Sequence, residues 1–128
     1  MLKRFLILCF LPLLAGGLIY LFFRTDSPLA DLVPLKYKYI PVEAWQKLLT
    51  GVLPDFLWSF SMANFLYSFS FLRKWKFFNW LVLLLLLLAE IIQLFTGTLF
   101  VFDYYDILAA ILAFLFSFLV RNKFYENI

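Results

Sequence analysis

Four apolar runs alternate with short polar segments along the chain, and their lengths decide most of the reading. The first covers residues 5–23 behind Lys3 and Arg4. It is longer than the ~7–15 apolar residues of a signal peptide and close to the ~20 that cross a bilayer. We read it as a first spanning helix, although the basic start and Ala15-Gly16-Gly17 also fit a cleaved leader. Pro12 should kink this helix and turn a carbonyl toward a neighbour, and the Gly pair permits close packing.

Residues 24–51 form the long polar segment, and Pro28, Pro34 and Pro41 rule out one helix through most of it. After Pro41, Val42, Trp45, Leu48 and Leu49 share a face, and Gly51 is placed to end a helix. This predicts a short amphipathic helix lying in the membrane interface, or a helix closing over the bundle. The second run covers 53–72. Pro54 suits a first helical turn, Asp55 suits the positive end of the helix dipole, and Ser61, Asn64 and Ser68 share a face. Asn64 reads as interhelical packing.

A basic turn, Arg73-Lys74-Trp75-Lys76, leads to the third run, 77–95, with its leucine block 83–88. A short turn containing Gly97 leads to the fourth, 104–120. There Ala109, Ala113 and Ser117 make a stripe of small residues for close helix contact. The predicted fold class is all-α: an integral membrane four-helix bundle with a short interfacial helix in the first outer loop, in a single domain.

Composition narrows the class. Of 128 residues, 66% are hydrophobic and 15% are charged, and mean hydropathy is +0.95. That places the chain among membrane proteins. The net charge of +3 does not indicate nucleic acid, because the basic residues flank the apolar runs. Lys3, Arg4, Arg73, Lys74, Lys76, Arg121 and Lys123, seven of the eleven, fall on one side, which makes both termini cytoplasmic. With no His and only Cys9, a His-ligated zinc site and an internal disulfide are excluded. Cys9 reads as a small buried hydrophobe.

The chemistry concentrates between residues 89 and 106. Glu90 and Gln93 are three apart, as are Asp103 and Asp106, so each pair shares a helix face. Ionisable groups in a spanning segment cost roughly 2.5–3.5 kcal/mol each, and they face protein, water or ligand. With Asp55 entering from the same side, the acids converge on the outer half. Their positive partner is the open question. It is a divalent cation on Glu90, Asp103 and Asp106, a loop lysine (Lys36, Lys38 or Lys47), or a basic group on a ligand or partner protein. The alternative is that Glu90 hydrogen-bonds Gln93 or a neighbouring helix and only fixes register. No nucleophile–His pair, phosphate loop or HExxH is present, so the usual catalytic templates are absent.

Glu90-x-x-Gln93, a short turn, and Phe102-Asp103-x-x-Asp106-Ile107-Leu108 resemble the signature of the VanZ-like family of small bacterial membrane proteins. The match covers roughly the last 40 residues. Phe100 stands where the family carries Arg, and Ala110 where it carries Asn. The resemblance implies a bacterial inner-membrane protein with an envelope role near the outer leaflet, in a family associated with resistance to the glycopeptide teicoplanin. The expected function is a ligand-binding pocket of Glu90, Gln93, Asp103 and Asp106, with Asp55 at its rim. It would take a lipid headgroup, an envelope precursor or a glycopeptide-type ligand. The alternative is a non-catalytic subunit or assembly factor docking through Asn64 and the stripe Ala109, Ala113 and Ser117.

Overall fold

A computed structural model describes residues 2–23, 32–34, 36, 42–96 and 104–124; the side chains of Gln93, Leu94, Thr96 and Phe124 are outside that description. The described residues are mostly helical and contain no strand. Four long helices carry the architecture: α1 (Leu2–Phe23), α2 (Ala44–Tyr67), α3 (Phe78–Thr96) and α4 (Tyr104–Phe124). Two of them are long and apolar enough to cross a membrane, Leu2–Phe23 and Tyr104–Lys123.

Named contacts give the directions. Along α1 and α2, Phe5 meets Phe65, the Cys9 carbonyl accepts from the Ser61 hydroxyl, and the Leu13 carbonyl accepts from Trp58 Nε1 at 3.3 Å. The numbers fall on one helix as they rise on the other, so α1 and α2 are antiparallel. Between α2 and α4, Asn64 meets Ser117 and Tyr67 meets Arg121, so these two are parallel. Between α3 and α4, Asn79 pairs with Arg121, and Glu90 feels the charge of Asp106, so these two are antiparallel. Among the described residues, one end therefore gathers Lys3, Arg4, Arg73, Lys74, Lys76, Arg121 and Lys123, and the other gathers the acids together with Lys47.

The core runs between α2, α3 and α4, where Ala63, Tyr67, Phe78, Val82, Leu86 and Ala110 are buried together. The small stripe on α4 explains the close approach. Ala109, Ala113 and Ser117 have no exposed surface, and Asn64 on α2 is equally buried. These residues pack helices within this chain, as their spacing predicts. As a surface for a separate partner they are already covered.

Two predicted boundaries are corrected. The interfacial helix does not exist as a separate element, because residues 44–50 are the first turns of α2, which continues through Gly51 and Pro54. Glu43 starts the helix with a capping box. Its side chain accepts from the Gln46 backbone, and Gln46 Oε1 accepts from the Glu43 N–H at 3.4 Å. A mid-helix Pro costs about 3 kcal/mol and a Gly about 1. Packing on α1 offsets this, since Pro54 is buried and its carbonyl lies beside Gly16. Asp55 is therefore inside a helix, not at its start.

The second correction is at the other end, where α2 stops at Tyr67 and not near residue 72. Ser68 Oγ donates to the Phe65 carbonyl at 2.6 Å, Arg73 Nη1 donates to the Tyr67 carbonyl at 2.7 Å, and Phe69 is extended. Side chains thus satisfy carbonyls that another helical turn would have used. A single turn, Ser70–Arg73, follows. In α1, a π-helical stretch, Leu6–Phe10, precedes the buried Pro12. Wide turns of this kind accommodate an interrupted hydrogen-bond ladder. The carbonyl offered to a neighbour is that of Cys9, whose own thiol is free and buried.

Candidate functional site

Glu90 lies on α3, in line with Phe78, Val82 and Leu86 at four-residue spacing, and all four are buried. A row of that spacing faces one neighbour along a helix. Asp106 lies in the first turn of α4, on the face that continues through Ala109, Ala110 and Ala113. Packing α3 against α4 therefore carries two carboxylates into one interface, with Glu90 5% and Asp106 3% exposed. The two carboxylates are near enough to act on one another electrostatically. Glu90 Oε2 is buried with no hydrogen-bond partner among the described residues.

An isolated buried carboxylate oxygen costs far more than a paired one, because nothing replaces its lost hydration. Asp106 sits at the N-terminal end of α4, where backbone N–H groups favour a negative charge. Glu90 Oε2 is thus closed to bulk water and short of a donor, beside a second buried carboxylate. Chemically it can accept a proton, hydrogen bonds from an ammonium or amide group, or a cation.

Of the other predicted site residues, Asp55 is buried, 8% exposed, on α2. It does not form a three-carboxylate metal group with the pair, since no such group occurs among the described residues. Gln93 lies on α3 one turn beyond Glu90, and its side chain is outside the description. Asp103, expected in a divalent-cation set with Glu90 and Asp106, and Lys38 lie outside the described residues.

Sequence reasoning missed a second polar cluster at the opposite end. Arg121, read as a membrane-flanking charge, is only 9% exposed. Its Nη1 donates to Asn79 Oδ1, and its guanidinium stands 5.4 Å from the centre of the Tyr67 ring. The Tyr67 hydroxyl donates to the same Asn79 oxygen at 3.0 Å. Asn79, the polar residue that opens the apolar first half of α3, is the signal that could have pointed here.

Comparison with protein-family models, curated proteins and solved structures yields no match. The VanZ-like resemblance therefore rests on its own residues between Glu90 and Leu108.

Proposed function

We propose that this chain is a four-span inner-membrane protein of a bacterial envelope, both termini cytoplasmic, which binds a ligand at the outward-facing pair Glu90 and Asp106. The ligand presents an ammonium or amide donor, as an aminated lipid headgroup, an envelope precursor or a glycopeptide-type antibiotic does. The observation that carries this reading is the unpartnered, buried Glu90 Oε2 beside a second carboxylate. A site short of a donor is completed by a ligand that brings one.

The membrane part has separate support. In the two helices long and apolar enough to cross a membrane, only 17% and 28% of residues in the apolar window are buried, so these helices turn most of their hydrophobic surface outward. A helix in the core of a soluble protein would bury it. Exposed aromatics sit at both ends, with Phe71, Trp75, Phe77 and Trp80 at one and Trp45, Phe95, Tyr104 and Tyr105 at the other. Leu84, Leu85 and Leu88 are exposed between them on α3, as the two interfaces and hydrocarbon core of a bilayer require. The basic end then faces the cytoplasm. The packing of α1 on α2 supports the first helix as part of the protein body. The subunit alternative loses its docking surface, because Asn64, Ala109, Ala113 and Ser117 are buried within the chain.

The test is complementation of a strain lacking the gene, scored for envelope-stress and glycopeptide phenotypes. Glu90→Gln and Asp106→Asn should fail to complement while remaining in the membrane at normal abundance. Full complementation by both would remove the binding proposal.

A further inference from the structure

Most described charges are sorted between the two ends of the molecule, with Lys47 standing among the acids. The described acids, Glu43, Asp55, Glu90 and Asp106, lie at the end where α2 and α4 begin and α3 closes. At the opposite end the start of α1, the turn after α2 and the end of α4 bring together Lys3, Arg4, Arg73, Lys74, Lys76 and Lys123. Phe5 against Phe65, Arg73 on the Tyr67 carbonyl, and Arg121 over the Tyr67 ring join these segments into one surface.

The surface has an inner and an outer part. Arg121 is the buried part, its guanidinium fixed by Asn79 and Tyr67. Lys3, Lys74 and Lys76 are exposed around it, and Trp75, 62% exposed, is placed for headgroup depth. We propose that this end is a binding surface for the headgroups of anionic phospholipids, with the lysines of the 73–76 turn as its principal phosphate contacts. Clusters of four to eight basic residues beside membrane helices attract anionic lipid, and each charge near the surface contributes. A fixed guanidinium behind exposed ammonium groups adds a positive potential that does not depend on side-chain ordering. The proposal rests on the membrane-spanning reading and is independent of the acid pair.

The experiment uses the full chain purified in mild detergent and offered equal amounts of phosphatidylglycerol and phosphatidylcholine with the same acyl chains. Retained lipid is counted by native mass spectrometry. The wild type should retain phosphatidylglycerol several-fold over phosphatidylcholine. Lys74→Gln with Lys76→Gln should remove most of that preference, since each charge near the surface contributes up to about fivefold. Lys47→Gln, which removes a charge at the acid end, should leave it unchanged. Equal retention of both lipids by the wild type, or equal losses per charge from the two ends, overturns the proposal. So does an unchanged preference in the Lys74/Lys76 variant. These exposed lysines are replaceable without loss of fold, which unchanged helical circular dichroism checks. Extraction of the protein from membranes by alkaline carbonate would instead overturn the membrane-spanning reading.

Discussion

Asn64 on α2 donates its side-chain amide to Ser117 Oγ on α4 at 3.2 Å, and neither residue has any exposed surface. The same amide donates to the Phe60 carbonyl at 2.8 Å, so it ties its own helix to its neighbour. Interhelical hydrogen bonds in membrane proteins contribute about 0.6 kcal/mol on average and up to ~1.7. Ser117→Ala should lower stability by that amount. Ala113→Leu, which forces a branched side chain into a closed contact, should cost about 1–3 kcal/mol. Thermal unfolding in detergent gives both values, and their order should hold.

Gly16 and Gly17 are adjacent but not equivalent. A Cβ on Gly16 would lie 2.7 Å from Trp58 Cδ1 and Nε1 and 3.2 Å from the Pro54 carbonyl oxygen. Trp58 has little room to yield, since its Nε1 is bonded to the Leu13 carbonyl and its ring packs on Tyr20. A Cβ on Gly17 meets nothing within 4 Å. Gly16→Ala should loosen α1 from α2 and lower the unfolding midpoint, while Gly17→Ala should be neutral or slightly stabilising. Limited proteolysis of the segment between α1 and α2 offers a second readout.

Removing Asn79 should cost more than removing the Tyr67 hydroxyl. Asn79→Leu strips the buried Arg121 guanidinium of a charge-assisted acceptor, a loss of about 1–3 kcal/mol. Tyr67→Phe keeps the ring beneath the guanidinium and loses one neutral hydrogen bond, about 0.5–1.5 kcal/mol. Chemical denaturation of the two variants side by side checks the ranking.

Glu90→Gln should stabilise the protein while abolishing its function. The amide keeps the shape, removes the repulsion from Asp106, and no longer places a charge where Oε2 has no partner. The gain should fall in the roughly 0.5–2 kcal/mol range of single stabilising changes, the trade-off expected where a site is held for function. Unfolding midpoints of wild type and variant, measured beside their complementation, make the comparison.

How much of this was legible beforehand depended on which force was in control. The stripe Ala109, Ala113 and Ser117 and the face of Asn64 were readable because small and polar residues at helical spacing have few other uses in an apolar chain. That Glu90 and Asp106 lie toward the same end was readable, but their meeting was not, because turning either helix by about 100° would separate them. The start of α2 was not. Gly51 reads locally as a stop and Pro54 as a helix start, and the capping box at Glu43 with the packing of Pro54 beside Gly16 overrode both. Arg121 was misread because a basic residue at a span's end looks the same whether it snorkels to the interface or turns inward onto Tyr67 and Asn79.

The most direct test of the acid pair is native mass spectrometry of the protein extracted gently from its own membrane, wild type beside Glu90→Gln. The expected result is a species carrying a basic or amide group bound once per chain in the wild type and absent from the variant. A wild-type protein with nothing bound, or the same species retained in both, would contradict a ligand site at Glu90 and Asp106.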